Sequence, residues 1–195
     1  MFKRVFTALI KDKLALIGMI IVIAFVMVAI FAPYIAPFDP DAINRVDGKV
    51  ARLVPPNSTF WFGTTDMGRD VFSQVVMGSG LALKIGILAA ILVMFVGTNV
   101  GLISGYYRGW VDNLLMRIVD IMYGIPFIPF VIILVSLLSP SIWNIILAIS
   151  ILAWRTTARI VRSQVLTLVE RPYIKAAKVA GASDLRIIYR HILPN

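Results

Sequence analysis

Asp120 and Arg117 stand three positions apart within a long apolar stretch. On a helix that spacing brings two side chains together, so the two residues form a candidate intramembrane ion pair. An ionisable residue inside a membrane span is by default a functional candidate, for instance a step in a substrate path. Asp120, however, lies only about two helical turns from one end of its span. A carboxylate there meets Arg117, or Arg155 or Arg159 of the next helix, and this position favours pairing over a place in the path. No catalytic constellation accompanies it. The chain has one His, no Cys and no cluster at metal-ligand spacing. It also lacks a Gly-rich loop followed by Lys, the pattern that cradles nucleotide phosphates. We therefore expect no catalytic residue, no metal and no cofactor in this chain. The absence of Cys removes disulfides and thiolate sites but identifies no compartment.

The second candidate is the basic segment 172–194, PYIKAAKVAGASDLRIIYRHILP. Pro172 suits the first position of a helix, where its missing N–H costs nothing. Tyr173 to Ala180 then reads as a short helix that stacks Ala176 on Ala180 and Ala177 on Gly181. Gly181 is a natural stop because it accepts a left-handed backbone. Ser183 can cap a second short helix, with Leu185, Ile188 and Ile192 on one face and Leu193-Pro194 at its end. Two readings fit this helix–turn–helix: an amphipathic loop lying on anionic lipid, or a docking element for another protein.

The elements that position these residues are greasy. Apolar residues make up 59% of the 195-residue chain and charged residues 15%, and mean hydropathy is +0.90. Soluble domains carry about 45–50% apolar and about 25% charged residues, so this is a polytopic membrane protein. Leu14–Ala32 has the length a bilayer requires, and Pro33 and Pro37 close it. Residues 38–80 are rich in Pro, Gly, Asn and Asp and read as a loop with short helical pieces. Leu81–Gly105 is a second span, with Gly86, Gly97, Gly101 and Gly105 as surfaces for close helix packing. Tyr106 to Asn113 reads as a short turn. Leu114–Leu138 is a third span, in which Pro126 and Pro129 each remove a helix hydrogen bond and invite a kink. Ser139-Pro140-Ser141 turns the chain. A fourth span begins at Ile142–Trp154 and continues past Arg155. No internal repeat is visible.

The net charge of +9 raises the possibility of nucleic acid, but the cations cluster beside greasy spans, where they orient a membrane protein. The loop 38–80 is slightly acidic, with Arg45, Lys49, Arg52 and Arg69 against Asp39, Asp41, Asp47, Asp66 and Asp70. The N-terminal tail is basic, with Lys3, Arg4, Lys11 and Lys13. Residues 155–190 hold eight Lys/Arg against Glu170 and Asp184. Both basic ends are therefore expected in the cytoplasm, and four spans between them satisfy parity.

Two strings carry a resemblance. Ala176-Ala177, then Gly181 and Leu193-Pro194, resemble the EAA loop of bacterial ABC importer permeases. The matching positions are Lys175, Ala176, Ala177, Gly181, His191, Leu193 and Pro194, with Lys175 standing where the family usually has Glu. Gly63-Thr64-Thr65-Asp66-Met67-Gly68-Arg69-Asp70-Val71-Phe72-Ser73 is similar to the GTD-x-x-GRD-x-(F/L)-S signature of C-type permeases of dipeptide, oligopeptide and nickel importers. There Gly63, Thr65, Asp66, Gly68, Arg69, Asp70 and Ser73 match. Local hydrogen-bonding turns explain each of these residues singly but not the whole string.

The resemblance implies an all-α, polytopic transmembrane helical bundle of the type I ABC importer permease (MetI-like) kind, with four spans present plus cytoplasmic coupling helices. It implies residues 1–32 as cytoplasmic tail and first span, 33–80 as an external loop, and 81–195 as a partial permease domain. The implied partners are a second, B-type permease, two cytoplasmic P-loop ATPases that bind the ATP, an extracytoplasmic substrate-binding protein and membrane lipid, with no nucleic acid. Such permeases carry two more spans after this loop, so the chain resembles a C-terminally truncated subunit. The alternatives are a nickel or other small-solute importer, or a membrane scaffold that transports nothing. A secondary transporter would show inverted repeats and discontinuous helices with paired polar sites, and the sequence shows neither.

Overall fold

The computed structural model describes residues 12–195, so Lys3, Arg4 and Lys11 of the basic tail lie outside the described residues. The chain divides into two compact units, Met1–Lys84 and Ile85–Asn195, and the boundary falls within a helix. In the first unit, α1 spans Lys13–Ile35, and the Asp12 side chain caps it by accepting from Leu14 N and Ala15 N. Pro33 does not end this helix, as the sequence reading expects, but sits inside its last turn. It withholds one donor from the Ala29 carbonyl, and that carbonyl lies 3.4 Å from where a Cβ on Gly80 would stand. The helix continues to Ile35, and its apolar side chains are exposed, for example Ile21 and Val22 at 62%, as lipid-facing residues are.

The polar stretch that follows is ordered by turns. β1 (Arg45–Val46) and β2 (Lys49–Val50) form a two-residue-loop hairpin. Asp47 and Gly48 both have positive φ at its tip, as the tight turn matching strand twist requires. This small sheet is absent from the sequence reading, although the Asp-Gly pair signals it.

α2 spans Val71–Tyr107, beginning ten residues before the expected Leu81. The cause is local. Asp70 Oδ2 accepts Ser73 N at 2.7 Å, an N-cap that starts the helix before the apolar run begins. At about 1.5 Å per residue α2 is about 55 Å long, well beyond a hydrocarbon core of about 30 Å. The expected turn at 106–113 shrinks to the single residue Arg108, and α3 runs Gly109–Gly124.

The expected third span is broken. α3 and α4 (Phe127–Leu137) are bent by 83° at Gly124-Ile125-Pro126. Pro126 cannot donate to the Met122 carbonyl. Arg155 Nη1 takes that carbonyl at 2.7 Å instead. Pro129 sits in the first turn of α4, where no hydrogen bond is lost. α5 runs Ile142–Leu168, capped by Ser141; it continues past Arg155 as expected. Among the described residues, three helices are long and apolar enough to cross a membrane, or four if the bent pair is one span.

In the second unit, α2 packs on α5 through glycines. A Cβ on Gly97 would meet Trp154 O at 2.7 Å, one on Gly101 would meet Ala158 O at 2.6 Å, and one on Gly105 would meet Val165 Cβ at 2.7 Å. Their four-residue spacing forms one small-residue stripe along α2, the pattern that lets membrane helices approach closely. Gly86, expected to share this role, has open space around it. At one end of the α2–α5 pair, Leu102 and Val165 join Ile174, Ile187, Ile188 and Ile192 in a buried apolar cluster.

Candidate functional site

That cluster anchors the basic hairpin. α6 spans Pro172–Val179 with Pro172 in its first turn. Gly181 has φ +80°. Its N–H bonds Lys178 O at 3.1 Å, and Ala182 N bonds Ala177 O at 3.1 Å. These two bonds around a left-handed Gly are the Schellman termination. Ser183 then caps α7, Asp184–Arg186. The chain continues as a π-helical segment, Ile187–Ile192, in which Leu193 N bonds Ile188 O at 2.9 Å. The wider winding corrects the expected face. Ile187 and Ile192, five residues apart, are buried together with Ile188, whereas Leu185 is 66% exposed. Bonds from i to i+5 shift the buried stripe away from α-helical spacing.

The opposite side of the hairpin is uncovered. Ala176, Gly181, Leu193 and Pro194 are exposed, and Ala177 and His191 are half-buried. Val179 is 90% exposed. Lys175 is exposed, and its Nζ lies 3.0 Å from Glu170 Oε2. Glu170 also meets Arg108 Nη2 at 2.8 Å. Lys175 first, then Arg108, holds the Glu170 carboxyl below the usual carboxylate range. Tyr106 Oη donates to Asp184 Oδ1 at 2.6 Å. Tyr106, Glu170, Lys175 and Asp184 all line a cleft of about 320 Å³ behind the hairpin.

Arg108 itself has φ +56° and ψ −164°, a region populated almost only by Gly and costing about 1–3 kcal/mol for other residues. Its side chain also donates to Leu166 O at 3.2 Å, a carbonyl in the last turn of α5 that lacks a full helical complement.

The signature string is a folded loop closure. Gly63 and Gly68 have positive φ, and a Cβ on Gly63 would stand 2.5 Å from Val54 O. Thr64 and Asp70 form an isolated bridge, Thr65 Oγ1 accepts Arg69 N at 3.1 Å, and Arg69 pairs with Asp41 at 3.1 Å. Asp70 and Ser73 are fully buried, and Ser73 Oγ accepts Phe38 N at 3.1 Å. Asp66 is left exposed. Thr64, outside the matched residues, is buried and donates to Ala51 O while accepting Val54 N.

Arg117 and Asp120 do not pair. Asp120 binds Arg159 of α5, and Arg117 is exposed with no carboxylate partner among the described residues. Arg159 and Arg155, one turn apart, both lie over the Tyr123 ring, at 4.1 and 4.7 Å. This stacking aims Arg159 at Asp120 across the helix pair, in preference to the local neighbour. The sequence reading missed a more buried pair. Arg162 holds Asp112 through two bonds of 2.6 Å, and Ser104 donates to the same carboxylate. Asp112 lies in the stretch expected to be a turn, so nothing marked it as a helix residue facing α5.

These features define a multi-pass, α-helical membrane protein with a folded hairpin at one end of its spans. The chain belongs to the family of binding-protein-dependent transport system inner membrane components, which matches residues 97–195. Residues 1–56 match the N-terminal TM domain of oligopeptide transport permease C. The chain is 42% identical over 194 residues to the dipeptide transport system permease protein DppC of Alkalihalophilus pseudofirmus, covering 100% of this chain and 62% of that protein. It is 38% identical to the oligopeptide transport system permease protein OppC of Bacillus subtilis, covering 95% and 59%. It is 38% identical to the glutathione transport system permease protein GsiD of Escherichia coli, covering 94% and 60%. The chain thus spans about three-fifths of the length of these relatives.

Proposed function

We propose that this chain is part of the permease subunit of a bacterial ABC importer for peptides, that it is no enzyme itself, and that segment 172–194 is its coupling element. In this reading a second permease completes the path, two P-loop ATPases hold the ATP and seat the hairpin, and a binding protein delivers cargo from outside. The observation that carries it is the uncovered hairpin face. Val179 is 90% exposed beside exposed Ala176 and Ala180, while the reverse side is pinned to α2 and α5 by a buried cluster. Such an apolar patch marks an interaction surface. Lys175, Ala176, Ala177, Gly181, His191, Leu193 and Pro194 form or frame it. The relatives' names point to dipeptides, oligopeptides and glutathione rather than nickel.

Gly181→Val tests the coupling role in the full-length subunit. A Cβ there meets nothing within 4 Å, so the effect comes from backbone strain of about 1–3 kcal/mol at φ +80°. Membrane insertion should be intact, whereas co-purification of the ATPases and ATP-driven uptake should both fall. Wild-type levels of both would return the hairpin to the lipid surface.

The charge asymmetry further sets residues 38–80 outside and the hairpin in the cytoplasm. Residue 57 is exposed in the loop. Asn57→Cys in this Cys-free chain should label with an impermeant thiol reagent in intact cells; labelling only after permeabilisation would reverse the orientation.

A further inference from the structure

We propose that Arg108 is a positioning residue that ties the joint between α2 and α3 to the first coupling helix, through Glu170 and Lys175. This rests on the coupling reading above, and it adds the route by which a displacement of α6 reaches the spans.

The joint is one residue long. Arg108 N bonds Ser104 O to close α2, and Arg108 O receives Asp112 N to open α3. The backbone at this point is strained at φ +56°. A residue in that region persists only where its surroundings hold it. The holding groups are the Leu166 carbonyl at 3.2 Å and the Glu170 carboxylate at 2.8 Å. Glu170 lies between α5 and α6, and its second oxygen is taken by Lys175 of α6. One carboxylate therefore touches the joint and the coupling helix at once.

The exposure of these groups shapes the role. The side chains of Arg108, Glu170 and Lys175 are 42%, 55% and 64% exposed, and ion pairs in water contribute little to stability. They are weak enough to part when α6 moves. The strained backbone supplies a direction in which the joint relaxes once Glu170 lets go. Buried contacts such as the Asp112–Arg162 pair on the next turn of α3 would then turn with the joint.

The test uses the full-length subunit assembled with its partner permease and ATPases in proteoliposomes, with a labelled dipeptide mixture as cargo. Arg108→Ala keeps the strained backbone and removes the ties. Arg108→Gly removes both. Both variants should retain the ATPases and lower peptide uptake per ATP hydrolysed about five-fold or more, the range of coupling between linked sites. Arg108→Ala should melt below wild type and Arg108→Gly at or above Arg108→Ala. Glu170→Lys with Lys175→Glu should stay uncoupled, because Arg108 then faces a like charge, and adding Arg108→Glu, which restores the ion pair at 170 but not the bond to Leu166 O, should recover part of the uptake per ATP. Full coupling in Arg108→Ala, no rescue by the triple exchange, or loss of the ATPases on Arg108→Ala would overturn the proposal. If Gly181→Val leaves docking untouched, the coupling reading is what fails, and the melting of Arg108→Ala relative to wild type still decides whether the side chain holds the strained joint.

Discussion

Arg162→Met in the full-length subunit is expected to cost about 3–5 kcal/mol of folded-state stability, the penalty for stranding a buried charge. Asp112 is 8% exposed and depends on Arg162 for two charge-assisted bonds in fork geometry. Ser104 donates one further bond, insufficient to neutralise a carboxylate in this setting. With the guanidinium gone, the carboxylate must take up water or a proton, and either route loosens the α2–α3–α5 junction. The readout is the melting temperature and the membrane level of the purified subunit. The double variant Asp112→Leu with Arg162→Met separates lost charge pairing from lost packing, since apolar replacement of a whole buried pair is often neutral or stabilising. It should recover most of the loss. A single variant that melts with the wild type would show that the pair contributes nothing to this junction.

Gly101→Val should be nearly as damaging, for a steric reason. A Cβ at this position stands 2.6 Å from Ala158 O, 2.7 Å from Val161 Cβ and 3.0 Å from Arg162 N. Two of those three atoms are backbone, so no rotamer change relieves the clash, and α2 and α5 must separate. Overpacking of this kind costs about 1–3 kcal/mol or more. The separation would also strain the Asp112–Arg162 pair, whose arginine follows directly on the contact residues. Gly86→Ala is the internal control: nothing lies within 4 Å of it, and relieving a helical Gly should be neutral or stabilise by about 0.4–1 kcal/mol. Equal behaviour of Gly101→Val and Gly86→Ala in abundance and melting would remove the close α2–α5 packing.

Elements governed by local chemistry were legible in the amino-acid order. Apolar runs long enough for a bilayer marked α1 and α2, and a shorter one marked the start of α5, because burying polar backbone in lipid leaves helices as the main solution. The hairpin turn was legible for the same reason: a Pro at the first helical position, a left-handed Gly and a Ser cap act within a few residues. The family motifs were legible as strings, since Gly63, Asp70 and Gly181 each serve a nearby backbone need. Boundaries were less so. The start of α2 depends on Asp70 capping a stretch whose first turns are too polar to look like a span.

What the amino-acid order left open or hid was the choice of partner across helices. By position Asp120 can meet Arg117, Arg155 or Arg159, and it binds Arg159, 39 residues away. Asp112 reaches Arg162 across 50 residues, and Arg108 reaches Leu166 across 58. Each choice depends on how α2, α3 and α5 are rotated about their axes. That rotation is set by the Gly97–Gly101–Gly105 stripe against α5 and by the one-residue joint at Arg108. Periodicity names the face a helix offers, but not which of several arginines on a facing helix comes opposite it. The π-helical winding of 187–192 is of the same kind. An α-helical reading puts Leu185 inside, and the cluster formed with Leu102, Val165 and Ile174 takes Ile187 instead, because packing against two spans outweighs the small preference for regular winding.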